Sequence, residues 1–230
     1  MSINSRVLLI CSLAISAILV IAVYFNYRPF SWPGGTEALG CIISLSILLG
    51  SMLLLSTFRN HTIIKNANKN ISLGLAIGIL WTIEIGTNNL LHPKLPLRDI
   101  IDDLFWAVIA LFILIFASVE AYKRQKIVAG IFSGFWTGTS SGALACLTAL
   151  VVIVFGMHFI LSDPLNIQEW SDTSKNLHYP NMQVFFAYQT FAGAILHLII
   201  LGTVMGLILG VVGGLIGKGT SLLVSKMRQQ

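Results

Sequence analysis

Charge is the scarcest thing in this sequence: Lys, Arg, Asp and Glu make up 10% of its 230 residues, where an ordinary soluble domain carries about a quarter. That deficit excludes a solvated globular surface. Cysteine is nearly as rare. Cys11, Cys41 and Cys146 all fall inside apolar stretches with no CxxC spacing, which argues against a disulfide framework or a zinc finger. They read as small apolar packing residues. The sequence also lacks an HExxH pair and a GxxxxGK[ST] loop, so neither the zincin mechanism nor nucleotide hydrolysis has its usual residues. No cofactor is expected. No polar stretch is long enough for a second domain, and residues 1–230 are read as one polytopic membrane domain.

What the chain has instead is apolar length. Hydrophobic residues make up 56%, and stretches near the ~20 residues needed to cross a hydrocarbon core recur. Six are read, at about 5–26, 36–58, 72–91, 101–122, 128–161 and 187–217. The fold class expected is an all-α integral membrane protein: a six-helix bundle with both termini cytoplasmic, its fifth and sixth helices long, glycine-rich and closely packed. Although Arg6 precedes the first apolar run, no convincing small-residue cleavage site follows it. A retained helix is expected there, not a cleaved signal.

Orientation follows from the basic residues, which concentrate in short cytoplasmic loops. With the N-terminus inside, Arg6, Arg59, Lys65, Lys69, Lys123, Arg124, Lys126, Lys218, Lys226 and Arg228 lie on the inner side. Arg28, Lys94, Arg98 and Lys175 lie outside. Seven of the nine acids sort to the outer side. The net charge of +5 is then an inner rim facing anionic lipid, not a nucleic-acid patch. The lipid bilayer is the first partner expected, with a second copy of the chain or another membrane subunit as the next; nucleic acid is not. A plasma or inner membrane is the expected location.

Two stripes dominate the fifth and sixth segments. Gly130, Gly134, Gly138 and Gly142 recur every fourth residue, as do Gly202, Gly206, Gly210 and Gly214. Residues four apart share a helix face, and small residues let membrane helices approach closely. These two helices should grip each other, or copies of themselves. The sixth is expected at the centre of the bundle. The fifth, at about 50 Å for a core of about 30 Å, must tilt, protrude or break, and residues 137–142 are the place expected to kink. Its face of Ser133, Thr137, Ser140, Ser141 and Thr148 is suited either to a hydrated path or to hydrogen bonds between helices.

Ionisable and polar groups within the spans are the candidate site. Glu84 lies about two turns from the outer end of the third segment, with Asn88 one turn further on the same face. A carboxylate at that depth is costly against lipid and should face protein or water. Asp99 and Asp102 are read as first-turn acids, with Arg98 four residues before Asp102 for an ion pair. Asp103 leads into the seam of Ala107, Ala110, Ala117 and Ala121 and is the acid expected to point inward. Glu120 is read as a surface partner of Lys123 and Arg124. His158 and His197 sit at compatible depth, and residues 162–186 form an outer polar loop.

The candidate substrate- or ion-binding set is therefore Glu84, Asn88, Asp103, His158 and His197. It fits a transporter or channel-like protein for a small solute or cation, since intramembrane acids and histidines recur in ion paths. A noncatalytic packing or assembly protein using the glycine faces is the alternative. Enzymatic chemistry is not expected, because Ser140 and Ser141 should lie more than about 10 Å from His197 along the bilayer normal. A metal at Glu84, His158 and His197 is left open.

Overall fold

The computed structural model describes residues 5–27, 43, 46–48, 50, 61–173 and 179–228. Among them the chain is helical apart from turns, with no strand. Helix α1 spans Ser5–Asn26, α2 His61–Leu90, α3 Leu97–Arg124, α4 Ile127–Phe155, α5 Met157–Ser162 and α6 Pro164–Thr173. Helix α7, Met182–Leu196, runs through a π-type segment, His197–Val204, into α8, Met205–Met227. The segment expected at 36–58 lies almost wholly outside the described residues.

Among the described residues five helices are long and apolar enough to cross a membrane: α1, Asn66–Leu90 of α2, α3, α4 and the continuous run Met182–Met227. Large apolar side chains point outward along them, among them Ile18, Ile79, Leu111 and Leu223, the arrangement lipid-facing surfaces require. The bundle is compatible with a multi-pass, membrane-embedded protein.

Helix α4 is the axis of the bundle, and this corrects the expectation that the last segment is central. Buried positions make up 61% of the apolar window of α4 but 22% of that of 182–227. Helices α1, α2, α3, α7, the π segment and α8 all pack on α4. Its apolar residues run around the whole helix instead of in one stripe, which is what a fully surrounded helix needs.

Close backbone approach explains how so many neighbours fit. A Cβ built on Gly130 would stand 2.6 Å from Gly214 Cα, and one on Gly134 the same distance from Gly210 Cα. On Gly138 it would stand 2.7 Å from Gly206 Cα, and on Gly142 2.8 Å from Gly202 Cα. Each step of four up α4 is a step of four down the antiparallel partner. No side chain fits between these backbones. Gly213 and Gly217 turn to α3 instead, where added Cβ atoms would lie 2.8 Å from Ala117 Cβ and from Tyr122 N respectively. On the opposite side of α4, Gly78 of α2 lies against Leu144, and Gly74 against Thr137 and Ser140. Gly86 and Gly193 face open space.

No unwound turn falls at 137–142; α4 is continuous helix through it and ends at Gly156, where φ is −111° and ψ 10°. Apart from Ser141 Oγ, the hydroxyls there are satisfied without opening the helix. Thr137 Oγ1 donates to the Asn70 carbonyl at 3.3 Å, Thr139 Oγ1 to Thr203 Oγ1 at 3.3 Å, and Ser140 Oγ to the Trp136 carbonyl one turn back. Ser133, Thr137, Thr139, Ser140 and Ser141 are at most 1% exposed, so this face serves helix contacts. The irregularity falls in the partner helix. Its π segment begins at His197, and Thr203 Oγ1 donates five residues back to the Leu198 carbonyl at 3.0 Å, satisfying an acceptor in the widened turn.

The expected outer loop also contains structure. Asp163 accepts from the Leu165 N–H at 3.0 Å, and Pro164 opens α6, a pairing of N-cap acid and first-turn proline that starts helices. Asn181 caps α7 in the same way, through the Val184 N–H at 2.9 Å. Residues 174–178 lie outside the described residues. Between α3 and α4 the turn needs only Gln125, in the left-handed region at φ 56° and ψ 30°, and Lys126.

Candidate functional site

Two polar clusters occupy opposite ends of the antiparallel pair α2 and α3, separated by about 27 Å of helix rise from Asn66 to Glu84. At the upper end, Glu84 and Asn88 share the face of α2 that also carries Ile77 and Trp81, because 77, 81, 84 and 88 follow helical spacing. Glu84 is 6% and Asn88 7% exposed. The Asn88 amide nitrogen donates to Glu84 Oε1 at 2.9 Å and to Asp102 Oδ1 at 2.7 Å. One side-chain amide thus joins two carboxylates from two helices, using both of its protons.

The inward acid is Asp102, not Asp103. Asp102 lies on one face of α3 with Trp106, Ile109 and Ile113, the face turned to α2, while Asp103 is a further 100° around and exposed. The alanine seam that pointed to Asp103 serves a different neighbour: Ala117 lies against Gly213 of α8. Nor does Asp102 pair with Arg98. Arg98 Nη1 reaches across to Asp163 Oδ2 at 2.8 Å, and the Asp163 side chain is 3% exposed. That long-range ion pair pins the α5–α6 corner to the start of α3 and leaves Asp102 free for Asn88.

Beneath the carboxylates lies an aromatic layer. The Trp81 ring meets that of Trp106 at 5.8 Å and that of His197 at 4.7 Å, both edge to face. His197 Nδ1 is 2.7 Å from the Gly193 carbonyl, so that nitrogen carries the proton and the other, Nε2, is buried with no partner. Below again is a small, partly open apolar pocket of about 40 Å³ lined by Trp81, Trp106, Ile109, Ile113, Leu201 and Met205.

Of the expected site residues, Glu84 and Asn88 are joined directly, and His197 sits against Trp81, one turn from Glu84. Asp103 and His158 are not brought in. His158 is exposed on α5, its ring 3.8 Å from that of Phe159, because the break at Gly156 reorients the chain beyond α4. Among the described residues no group of three His, Cys, Asp or Glu side chains is placed to hold a metal ion. The separation expected between the serines and His197 also shrinks, since the His197 carbonyl abuts Gly142, next to Ser141. No hydrogen bond joins them: Ser140 Oγ is engaged by the Trp136 carbonyl and Ser141 Oγ has no partner.

What the upper cluster offers chemically is oxygen. Glu84 Oε2 and Asn88 Oδ1 are both buried and unpartnered, and Asp102 lies alongside within electrostatic reach of Glu84. Buried polar atoms left without a partner carry a desolvation cost that a bound proton, cation or water removes. Two carboxylates and an amide oxygen are hard donors, suited to a hard cation or a proton.

The lower cluster was not read as a site. Glu120 is bonded by Lys69 of α2 and by Arg124 Nε at 3.2 Å, and its side chain is 11% exposed; Lys123 is not its partner. Arg124 also donates to Asn66 Oδ1, and Ser133 Oγ to Asn70 Oδ1 at 3.1 Å. The usable signal was Lys69 and Asn70 immediately before the third segment as read, at the end antiparallel to Glu120. No protein-family model matches the chain, and neither a curated protein nor a solved structure shows significant similarity to it.

Proposed function

We propose that this chain is a multi-pass protein of the plasma or inner membrane that binds a small cation, protons included, as a transporter or channel-like protein. The Glu84–Asn88–Asp102 cluster is its binding site. The observation that carries the reading is a pair of facing carboxylates: Glu84 is buried, accepts from Asn88 through one oxygen, has no donor on the other, and stands within hydrogen-bond reach of the Asp102 carboxylate. A carboxylate kept only for packing would be expected to use both oxygens. Asp102 is more exposed than Glu84, and the Trp81–His197 contact lies one turn from Glu84 along α2. The reading is of a noncatalytic protein.

The alternative, an assembly protein working through its glycine stripes, loses support from the packing. Those glycines meet one another within one chain, so a partner subunit would have to use the outward apolar faces.

The test is aqueous thiol labelling of single cysteines, Glu84→Cys, Asp102→Cys and Asp103→Cys, in a background lacking Cys11, Cys41 and Cys146. Labelling at Asp102 and Glu84 from one side of the membrane, together with cation or proton uptake into proteoliposomes that Glu84→Gln abolishes, is the expected result. Protection at Glu84 with Asp103 labelled, and no uptake, would mean a dry packed core and would end the transport reading.

A further inference from the structure

At the lower end, the turn between α3 and α4 opens into a cavity of about 320 Å³. One wall is polar, formed by Asn66, Asn70, Glu120, Arg124 and Lys126; the other is apolar, formed by Val128, Ala129 and Phe132. We propose that this cavity seats the phosphate-bearing headgroup of an anionic phospholipid, with the first part of an acyl chain along the apolar wall.

Charge is the first reason. Lys69 and Arg124 together hold Glu120, and Lys126 stands on the same rim, leaving two positive charges in excess. Backbone geometry is the second. Lys126 is the N-cap of α4 and supplies no side-chain cap; the Ala129 N–H is taken by the Lys126 carbonyl at 3.1 Å, and the N–H groups of Ile127 and Val128 before it lack the side-chain acceptor that caps most helix starts. An anion placed there meets both those donors and the positive end of the dipole of a 29-residue helix. The buried floor is built, not incidental: Asn70 is 3% exposed and fixed by Ser133 and by Thr137 on its carbonyl. Two-sidedness is the third. Val128 is 71% exposed, an apolar side chain beside cations at a bundle end, which suits a ligand with a charged head and a hydrocarbon tail better than a soluble anion. Basic pockets between membrane helices take lipid headgroups by this combination.

The experiment reconstitutes the full chain in nanodiscs of phosphatidylcholine, with or without a minor share of phosphatidylglycerol, and counts retained phosphatidylglycerol by native mass spectrometry. Wild type should retain one anionic lipid in preference to the neutral one, and its thermal midpoint should rise when that lipid is present. Lys126→Glu should weaken retention about tenfold, given the attraction of each basic residue near an anionic surface. Val128→Asp should weaken it through the apolar wall. Lys218→Glu, the same charge change near the matching end of α8, should leave it unchanged. All three variants alter side chains outside the buried core, and their elution profiles and midpoints in neutral nanodiscs check folding. Equal losses in Lys126→Glu and Lys218→Glu would reduce the effect to general surface charge and overturn the proposal. So would a rise in midpoint from inorganic phosphate in neutral nanodiscs equal to that from the lipid, which would assign the cavity to a soluble anion.

Discussion

Along α4 and its antiparallel partner, backbones touch through eight glycines and every neighbouring hydroxyl but one is engaged, whereas above that contact α2 and α3 meet through two carboxylates, an amide and a layer of rings. The first region pairs most of its buried polar atoms, with Ser141 Oγ and Trp136 Nε1 left over, and neither of those is acidic or basic. The second leaves Glu84 Oε2, Asn88 Oδ1 and His197 Nε2 buried without partners. The glycine contact carries the close backbone packing, and the unpartnered ionisable groups lie in the second region, where the proposed site stands. The π segment marks the boundary: it starts at His197, whose side chain belongs to the aromatic layer and whose carbonyl lies against Gly142.

The largest effect tests the first region. Gly134→Leu places a branched side chain where even a Cβ is too close to Gly210, and overpacking of ~3 kcal/mol or more is large against a total stability of ~5–15 kcal/mol. Loss of a monodisperse folded species on size exclusion is expected, while Gly86→Leu and Gly193→Leu, which face open space, elute as wild type. Equal tolerance at all three positions would mean the glycine contact does not hold the bundle.

Next comes the functional side. Asp102→Asn should lower cation or proton uptake about tenfold, and Asp103→Asn should leave it within about twofold, with ~1.4 kcal/mol corresponding to each tenfold. The reverse order would restore Asp103 as the inward acid. Smaller again is Glu120→Ala, which strands Lys69 and Arg124. Their exposure, 51% and 40%, lets water compensate, so a loss of about 1–2 kcal/mol is expected in place of the ~3–5 kcal/mol of a fully buried pair; thermal unfolding in nanodiscs reads it. The smallest is Tyr27→Phe. The Tyr27 hydroxyl donates to the buried Ile153 carbonyl at 3.0 Å, and its removal should cost about 1 kcal/mol without changing uptake. A change in uptake would tie the top of α1 to the upper site.

Glu84 and Asn88 were legible in sequence because a carboxylate and an amide four apart inside an apolar segment have few other uses. Asp102 was not, since first-turn acids have a local explanation in the helix dipole and a local partner in Arg98. Only the approach of Asp163, sixty-five residues from Arg98, frees it. The α6 helix had a readable start at Asp163-Pro164 that loop length and polarity masked.

By itself, the sequence determined the helical, apolar character of the chain, because composition and run length decide what can be buried in lipid regardless of partners. It also determined which positions bear small residues. Which helix is central, where the long helices break and which acid turns inward were decided by tertiary structure. Each depends on what lies on the far side of a helix, and helical periodicity assigns a residue to a face without saying which neighbour that face will meet.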